Sequence, residues 1–129
     1  MKRLTGIGGI FFKAQDQEKL YQWYEKHLGI QREPGGWGAA FRWREAGNPE
    51  ESGVTTWAIF PEGSKHFDPS KSKCMINYRV DDMEGLLQAL KQEGVEIDPK
   101  REDGEYGSFA WIMDPEGNRI ELWEPPKGK

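Results

Sequence analysis

The sequence has one cysteine, two histidines and no excess of basic charge: 18 Lys+Arg stand against 22 Asp+Glu in 129 residues, a net charge of -4. Each shortage excludes something. A lone thiol, Cys74, cannot build an internal disulfide framework and fits a reducing compartment. An acidic balance argues against a general nucleic-acid binder, whose affinity rests on neutralising phosphates. No apolar run approaches the roughly 20 residues that a membrane-spanning helix needs. Met1 to Ile10 carries two basic residues but lacks the apolar stretch and cleavage site of a secretory leader. The expectation is a soluble, cytoplasmic chain without membrane or nucleic-acid partners. Hydrophobic residues at 36%, with 12% aromatic, suffice for the core of one compact domain, residues 1–129.

The chain is written twice. Ile7 to Ala14 is an apolar run with strand character, ending at Asp16, whose carboxylate suits a helix N-cap. Leu20, Trp23, Tyr24 and Leu28 follow at helical spacing, and Gly29 closes the helix. Met75 to Val80 repeats the strand, Asp82 the cap, Leu86, Leu87 and Leu90 the helical face, and Gly94 the closing glycine. Ile30 to Glu33 then matches Val95 to Ile97. The stretch from Trp37 to Arg44 matches Tyr106 to Met113, and Val54 to Phe60 matches Asn118 to Glu124. Asp114-Pro115-Glu116-Gly117-Asn118 is a tight turn, since Pro presets φ and Gly and Asn tolerate positive φ. Its counterpart, Glu45 to Gly53, reads as a longer loop. Glu50-Glu51 and Arg101-Glu102-Asp103 read as solvated loops. Each half thus predicts βαβββ: module one over 4–60, a polar linker over 61–73, and module two over 74–125. One half alone cannot bury a curved sheet under one helix, so the two are expected to share a core.

Strand alternation assigns the faces. Ile10, Phe12 and Ala14 are expected to face the helices, with Ile76, Tyr78 and Val80, and Ile120 and Leu122. Phe11, Lys13, Met75, Asn77, Arg79, Glu121 and Trp123 then face the other way, and Phe60 joins them from its own strand. Aromatic walls with a few polar groups are the composition of a small-molecule pocket. Glu121 reads equally as a strand carboxylate paired with Arg79 or Lys13. Phe11 and Trp123 also read as packing between modules or as a dimer interface, the commoner fate of aromatics. Trp37, Trp43 and Trp111 lie on strands whose facing the pattern does not fix. His27, in the last turn of the first helix, and His66, in the linker, read as solvated or locally hydrogen-bonded.

The doubled βαβββ pattern, the helix ending Trp23-Tyr24-Glu25-Lys26-His27-Leu28-Gly29 and the closing Asp114-Pro115-Glu116-Gly117-Asn118 to Glu121-Leu122 resemble the vicinal oxygen chelate superfamily, the group of glyoxalase I, bleomycin-resistance proteins and extradiol dioxygenases. The resemblance covers residues 4–125. It implies an α+β fold of paired modules whose strands curl into a partly open, mixed barrel around a concave cup, and it implies a homodimer. Metal enzymes of the group hold a divalent ion with two side chains from each module. Counted from the helix caps, these positions are Gly9 and Met75 on the first strands and Ala58 and Glu121 on the last. One donor of four is present, and single carboxylates rarely hold such ions. The reading is therefore a metal-free protein binding a small organic molecule through Phe11, Lys13, Phe60, Asn77, Arg79 and Trp123. Two alternatives stand beside it: a lyase, isomerase or dioxygenase using Glu121 as general base or metal ligand, and a non-catalytic interaction module with a filled cup.

Overall fold

In a computed structural model, residues 3–127 are described. The elements run β1 (Gly6–Ala14), α1 (Gln17–Leu28), β2 (Ala39–Glu45), β3 (Asn48–Pro61), β4 (Cys74–Arg79), α2 (Met83–Gln92), β5 (Glu96–Gly104), β6 (Gly107–Met113) and β7 (Arg119–Glu124). They build a seven-stranded mixed sheet in the order β2-β3-β1-β4-β7-β6-β5, which does not close into a barrel. The two modules meet at its centre, where β1 and β4 run antiparallel. Each first strand pairs parallel with the last strand of its own module, β1 with β3 and β4 with β7.

Both helices start where the aspartates predict. Asp16 accepts from the Lys19 amide at 3.1 Å and Asp82 from the Gly85 amide at 3.0 Å, so each satisfies one of the orphan N–H groups of a first turn. Gly29, at φ 72°, ends α1 in the left-handed conformation that glycine adopts without strain. α2 packs Met83, Leu86 and Leu90 with Val80, Ala110 and Leu122, each full burial of a large aliphatic side chain contributing about 1.5–3 kcal/mol. α1 is held differently. Its buried residue is Tyr21, packed with Trp57, Ile59 and Ala39, and the Tyr21 hydroxyl accepts from the Ile59 amide at 2.8 Å. Trp23 and Leu28, predicted on its apolar face, are 50% and 62% exposed.

The expected strand over residues 30–33 does not form, so module one is βαββ. Pro34 lacks an amide to give to a ladder, and Gly35 and Gly36 turn the chain with φ of 96° and 74°. The predicted long loop over 45–53 is instead a tight hairpin, β3 beginning at Asn48. Glu50 and Glu51 therefore lie on β3, and Arg101-Glu102-Asp103 lies on β5. Ile10 and Ile76, expected under the helices, are paired with each other across β1 and β4 and are 43% and 40% exposed. Their strands form the seam between modules, and each helix covers its own module only.

Candidate functional site

The register of the sheet fixes which residues are equivalent in the two modules. Across β1 and β4, Gly9 lies opposite Asn77 and Phe11 opposite Met75. Phe11 lies beside Ala58 on β3, as Asn77 lies beside Glu121 on β7. Gly9 thus corresponds to Met75, Phe11 to Asn77 and Ala58 to Glu121, as counting from the helix caps predicts.

Glu121 is 4% exposed, and three donors converge on it. Oε1 accepts from Trp111 Nε1 at 3.0 Å and contacts His66 Nε2 at 2.9 Å, and Oε2 accepts from Asn77 Nδ2 at 2.6 Å. A buried carboxylate is tolerable only with such partners. Neither Arg79 nor Lys13, the partners expected from the sequence, is among them. His66, read from the sequence as solvated or locally hydrogen-bonded, instead meets a carboxylate far along the chain, and its ring stacks on Phe60 at 5.4 Å with 5° between planes. An ionised Glu121 fixes the tautomer, since it offers only acceptors and Nε2 must then carry the hydrogen.

The linker does more than join the halves. Phe67 has no exposed surface and sits in a cluster with Phe11, Ala58, Met75 and Trp111. The hollow expected between the aromatic walls is therefore filled by a side chain from residues 61–73. Phe11 packs between the modules at 8% exposure, and Phe60 meets it edge-on at 5.4 Å. The Lys13 ammonium lies over the Phe67 ring at 5.0 Å. Trp123 stacks on Phe109 and donates to the Tyr106 carbonyl at 2.7 Å. Arg79, 8% exposed, lies against the rings of Trp43 and Trp123. Asn77 and Glu121 are thus brought into direct contact, Phe11 and Phe60 pack beside them, and Lys13 contacts the plug. Sequence reasoning missed Phe67, and it named Trp111 without fixing which way it faces. A loop phenylalanine among polar neighbours was the available signal for the first.

Trp111 is itself fixed from behind. Arg119, 6% exposed, lies 5.2 Å from its ring centroid and pairs with Asp98 at 2.7 Å. The hydrogen bond from Arg119, with help from the Lys100 amide, holds the Asp98 carboxyl below its ordinary value of 3.8. A depressed folded value contributes stability that is present above the unfolded value and lost as pH falls through the folded one. Asp98→Asn is accordingly expected to lower stability at pH 7 by about 1–2 kcal/mol, under the roughly 1.5–3 of a hydrogen bond to a charged group because Asp98 is partly exposed. The gap to wild type should begin to narrow at about pH 4 and close only below the depressed folded value, as read by urea unfolding at pH 7 and across the acid range; a gap that does not change with pH would remove the linkage.

The residues do not fit the ion that the family resemblance implies. Gly9 and Ala58 have no donor atom, Met75 offers a weak thioether, and Glu121 is already committed. Among the described residues no group of three or more His, Cys, Asp or Glu could hold a metal. Two clefts of about 460 and 470 Å³ lie elsewhere, one at the start of α1 beside Arg32 and one along the β5–β6 hairpin. No helix among the described residues is long and apolar enough to cross a membrane.

The family model of the Glyoxalase/Bleomycin resistance protein/Dioxygenase superfamily matches residues 6–122. The fold is similar to methylmalonyl-CoA epimerase from Mycobacterium tuberculosis, with a TM-score of 0.64 and 18% identity over 98% of this chain and 91% of that one. It is similar to a Streptomyces coelicolor methylmalonyl-CoA epimerase variant in complex with 2-nitronate-propionyl-CoA, with a TM-score of 0.66 and 15% identity over 95% and 98% of the two chains. A superfamily member from Vibrio splendidus 12B01 gives a TM-score of 0.57 and 14% identity over 92% and 97%. At these identities the likeness is one of fold. No curated protein matches the chain.

Proposed function

From the premise that this chain belongs to the glyoxalase/bleomycin resistance protein/dioxygenase superfamily, we propose that it binds a small organic molecule on the concave face of the sheet around Glu121, without a divalent metal. The observation that carries the reading is the state of that carboxylate. Its two oxygens are taken up by His66, Asn77 and Trp111, and the three positions equivalent or adjacent in the family's pattern are Gly9, Ala58 and Met75. Recognition then rests on ring contacts and a few oriented polar groups. Phe67 occupies the cup in the free protein, so a ligand enters by lifting the 61–73 segment and replaces the ring contacts that Phe67 made. His66 and Phe67 are neighbours in sequence, and the same movement removes one of the two contacts on Glu121 Oε1, opening that acceptor position to the ligand while Trp111 keeps its own bond.

A second reading is favoured by the 2.9 Å contact between His66 and Glu121. A carboxylate beside an imidazole is equipped for proton transfer: Glu121 can take a proton from a carbon next to a carbonyl, the electron pair passing to the carbonyl oxygen, and can return the proton to that carbon as the electron pair comes back. The methylmalonyl-CoA epimerases among the similar folds carry that name for their own reaction; here the activity is a proposal.

Metal analysis of the purified protein and a thermal-shift screen with aromatic and polar metabolites test the first reading. The expected results are no stoichiometric Zn, Ni, Fe, Mn or Co, no effect of a chelator on the melting temperature, and a concentration-dependent rise with some members of the panel, since a ligand of the native state stabilises it by mass action. Stoichiometric metal lost on Glu121→Ala would overturn it. A panel that leaves the melting temperature unchanged throughout would also overturn it, in favour of an interaction module with a filled cup. Exchange of a carbon-bound proton of an added thioester or ketone into deuterated water, abolished in Glu121→Gln, would establish the second reading.

A further inference from the structure

Arg79 is a charged residue with no evident reason to be where it is. It is 8% exposed, and its Nε and Nη1 are sealed from water without a hydrogen-bond partner. Its Cζ lies 5.4 Å from the Trp43 ring centroid and 5.2 Å from that of Trp123. The rings attract the charge but offer the N–H groups no lone pair. Burial pushes its pKa down, and Asp81 and Glu51 offset this only through their charge at a distance; neither forms a salt bridge with it. A desolvated, unpaired guanidinium is costly to maintain.

Glycines make room for this packing: Gly6 and Gly53 for the Trp43 ring that lies against Arg79, and Gly8 for Arg79 itself. A Cβ on Gly6 would come within 2.7 Å of Trp43, and one on Gly53 within 2.4 Å of the same ring. A Cβ on Gly8 would lie 3.1 Å from Arg79 Cγ and 3.0 Å from Trp123. The same Gly8 Cβ would strike Asn77 Oδ1, and that oxygen is the second unpaired group here: it is buried and has no partner. Its amide orientation is set by its other end, since Nδ2 must face the Glu121 carboxylate. Asn77 and Arg79 alternate on β4, so they point to one face with Cα atoms about 6.5–7 Å apart. One face of β4 thus carries an unmatched cationic fork and, one step toward Glu121, an unmatched acceptor.

We propose that Arg79 and Asn77 form a subsite for a small organic acid, the Arg79 guanidinium pairing with its carboxylate and Asn77 Oδ1 accepting from a hydroxyl or amino group next to that carboxylate. The fork of guanidinium N–H groups matches a planar carboxylate, and Asn77 Oδ1, on the same face of β4, is the acceptor left for a donor next to it. The proposal rests on the concave face being a ligand site and names the class of ligand: a 2-hydroxy or 2-amino acid, whose remaining substituent points toward Glu121.

The test uses the indole N–H signals of the 15N-labelled full chain, titrated with glycolate, with acetate and ethylene glycol as controls. Trp43 donates to Thr55 and Trp123 to Tyr106, so both indoles report on the surroundings of Arg79. Glycolate is expected to move both signals saturably, acetate to bind at least threefold more weakly (about 0.6 kcal/mol, the net of a weak hydrogen bond), and ethylene glycol to leave them unmoved. Arg79→Lys keeps the charge and stem but loses the fork, and is expected to weaken glycolate by about tenfold; Arg79→Gln should abolish binding. Glycolate leaving both signals in place, or binding equally to Arg79→Lys, would overturn the proposal. Because the unaltered protein is titrated first, the answer stands even if Arg79→Gln does not fold. Trp111 separates this failure from failure of the wider reading, since its indole donates to Glu121: a shift at Trp111 alone keeps a ligand on the concave face and removes Arg79 from its recognition.

Discussion

Phe67→Ala is expected to destabilise the protein by about 3–5 kcal/mol, the range for truncating a fully buried phenylalanine. Phe67 has no exposed surface, although it lies in a loop flanked by polar residues. Its ring meets Phe60 edge-on at 5.3 Å and packs with Phe11, Ala58, Met75 and Trp111. Alanine removes the ring and leaves a cavity that the surrounding strands cannot collapse into, since each is held by its ladder neighbours. Loss of the ring also removes the lever that keeps His66 on Glu121. Urea unfolding should show a lower midpoint with little change of slope. A cavity lined by aromatic and aliphatic groups stays open to apolar guests, so indole is expected to raise the melting temperature of Phe67→Ala far more than that of the unaltered protein. A loss under about 1 kcal/mol, the size of an ordinary surface change, would show that Phe67 is no plug.

The second large effect is at Glu121, where two substitutions are expected to separate. Glu121→Ala strands three donors, two of them on the fully buried Trp111 and the buried Asn77, and each unsatisfied buried donor is worth about 1–3 kcal/mol; a total loss of about 3–5 kcal/mol is expected, since the effects are not additive. Glu121→Gln is different. An amide oxygen at the Oε1 position can still accept from both Trp111 and His66. The amide nitrogen then meets Asn77, whose side chain can flip and present Oδ1 in place of Nδ2. The loss expected is about 1 kcal/mol, one charge-assisted hydrogen bond exchanged for a neutral one. The order of urea midpoints checks this, together with the Trp111 indole N–H signal, which should persist in Glu121→Gln and move in Glu121→Ala. Equal losses would mean that the charge of Glu121, not its hydrogen bonds, is what the fold needs.

Much of the architecture was legible because it is written in local chemistry. Asp16 and Asp82 mark the helix starts, since a short acceptor side chain satisfies first-turn amides wherever it stands. Asp114 and Gly117 mark the β6–β7 turn: Asp114 accepts from the Glu116 and Asn118 amides at 2.9 Å each, and Gly117 takes φ 85°. The repeat made Ala58 the counterpart of Glu121. Residues 30–33 do not form the strand that the repeat implies: Ile30 is their one apolar residue, and a segment becomes a strand only when a neighbour offers its edge. Ile10 and Ile76 were misread because alternation gives the face of a strand but not whether a helix covers it. Trp23 and Leu28 were misread for the kindred reason that spacing alone does not say which stripe of α1 meets the sheet.

The site divides in the same way. Sequence alone determined the family, the doubled module, the sides of the strands on which Asn77, Arg79 and Glu121 stand, and the lack of donors at Gly9, Ala58 and Met75, because caps, turns and period-two alternation depend on neighbours a few residues away. Only the tertiary structure decided that His66 and Trp111 meet Glu121, that Phe67 fills the concave face and that Arg79 stands unpaired beside Trp43 and Trp123. Those contacts join residues far apart in the chain, and their formation depends on how a loop folds back over a sheet, which no local pattern encodes.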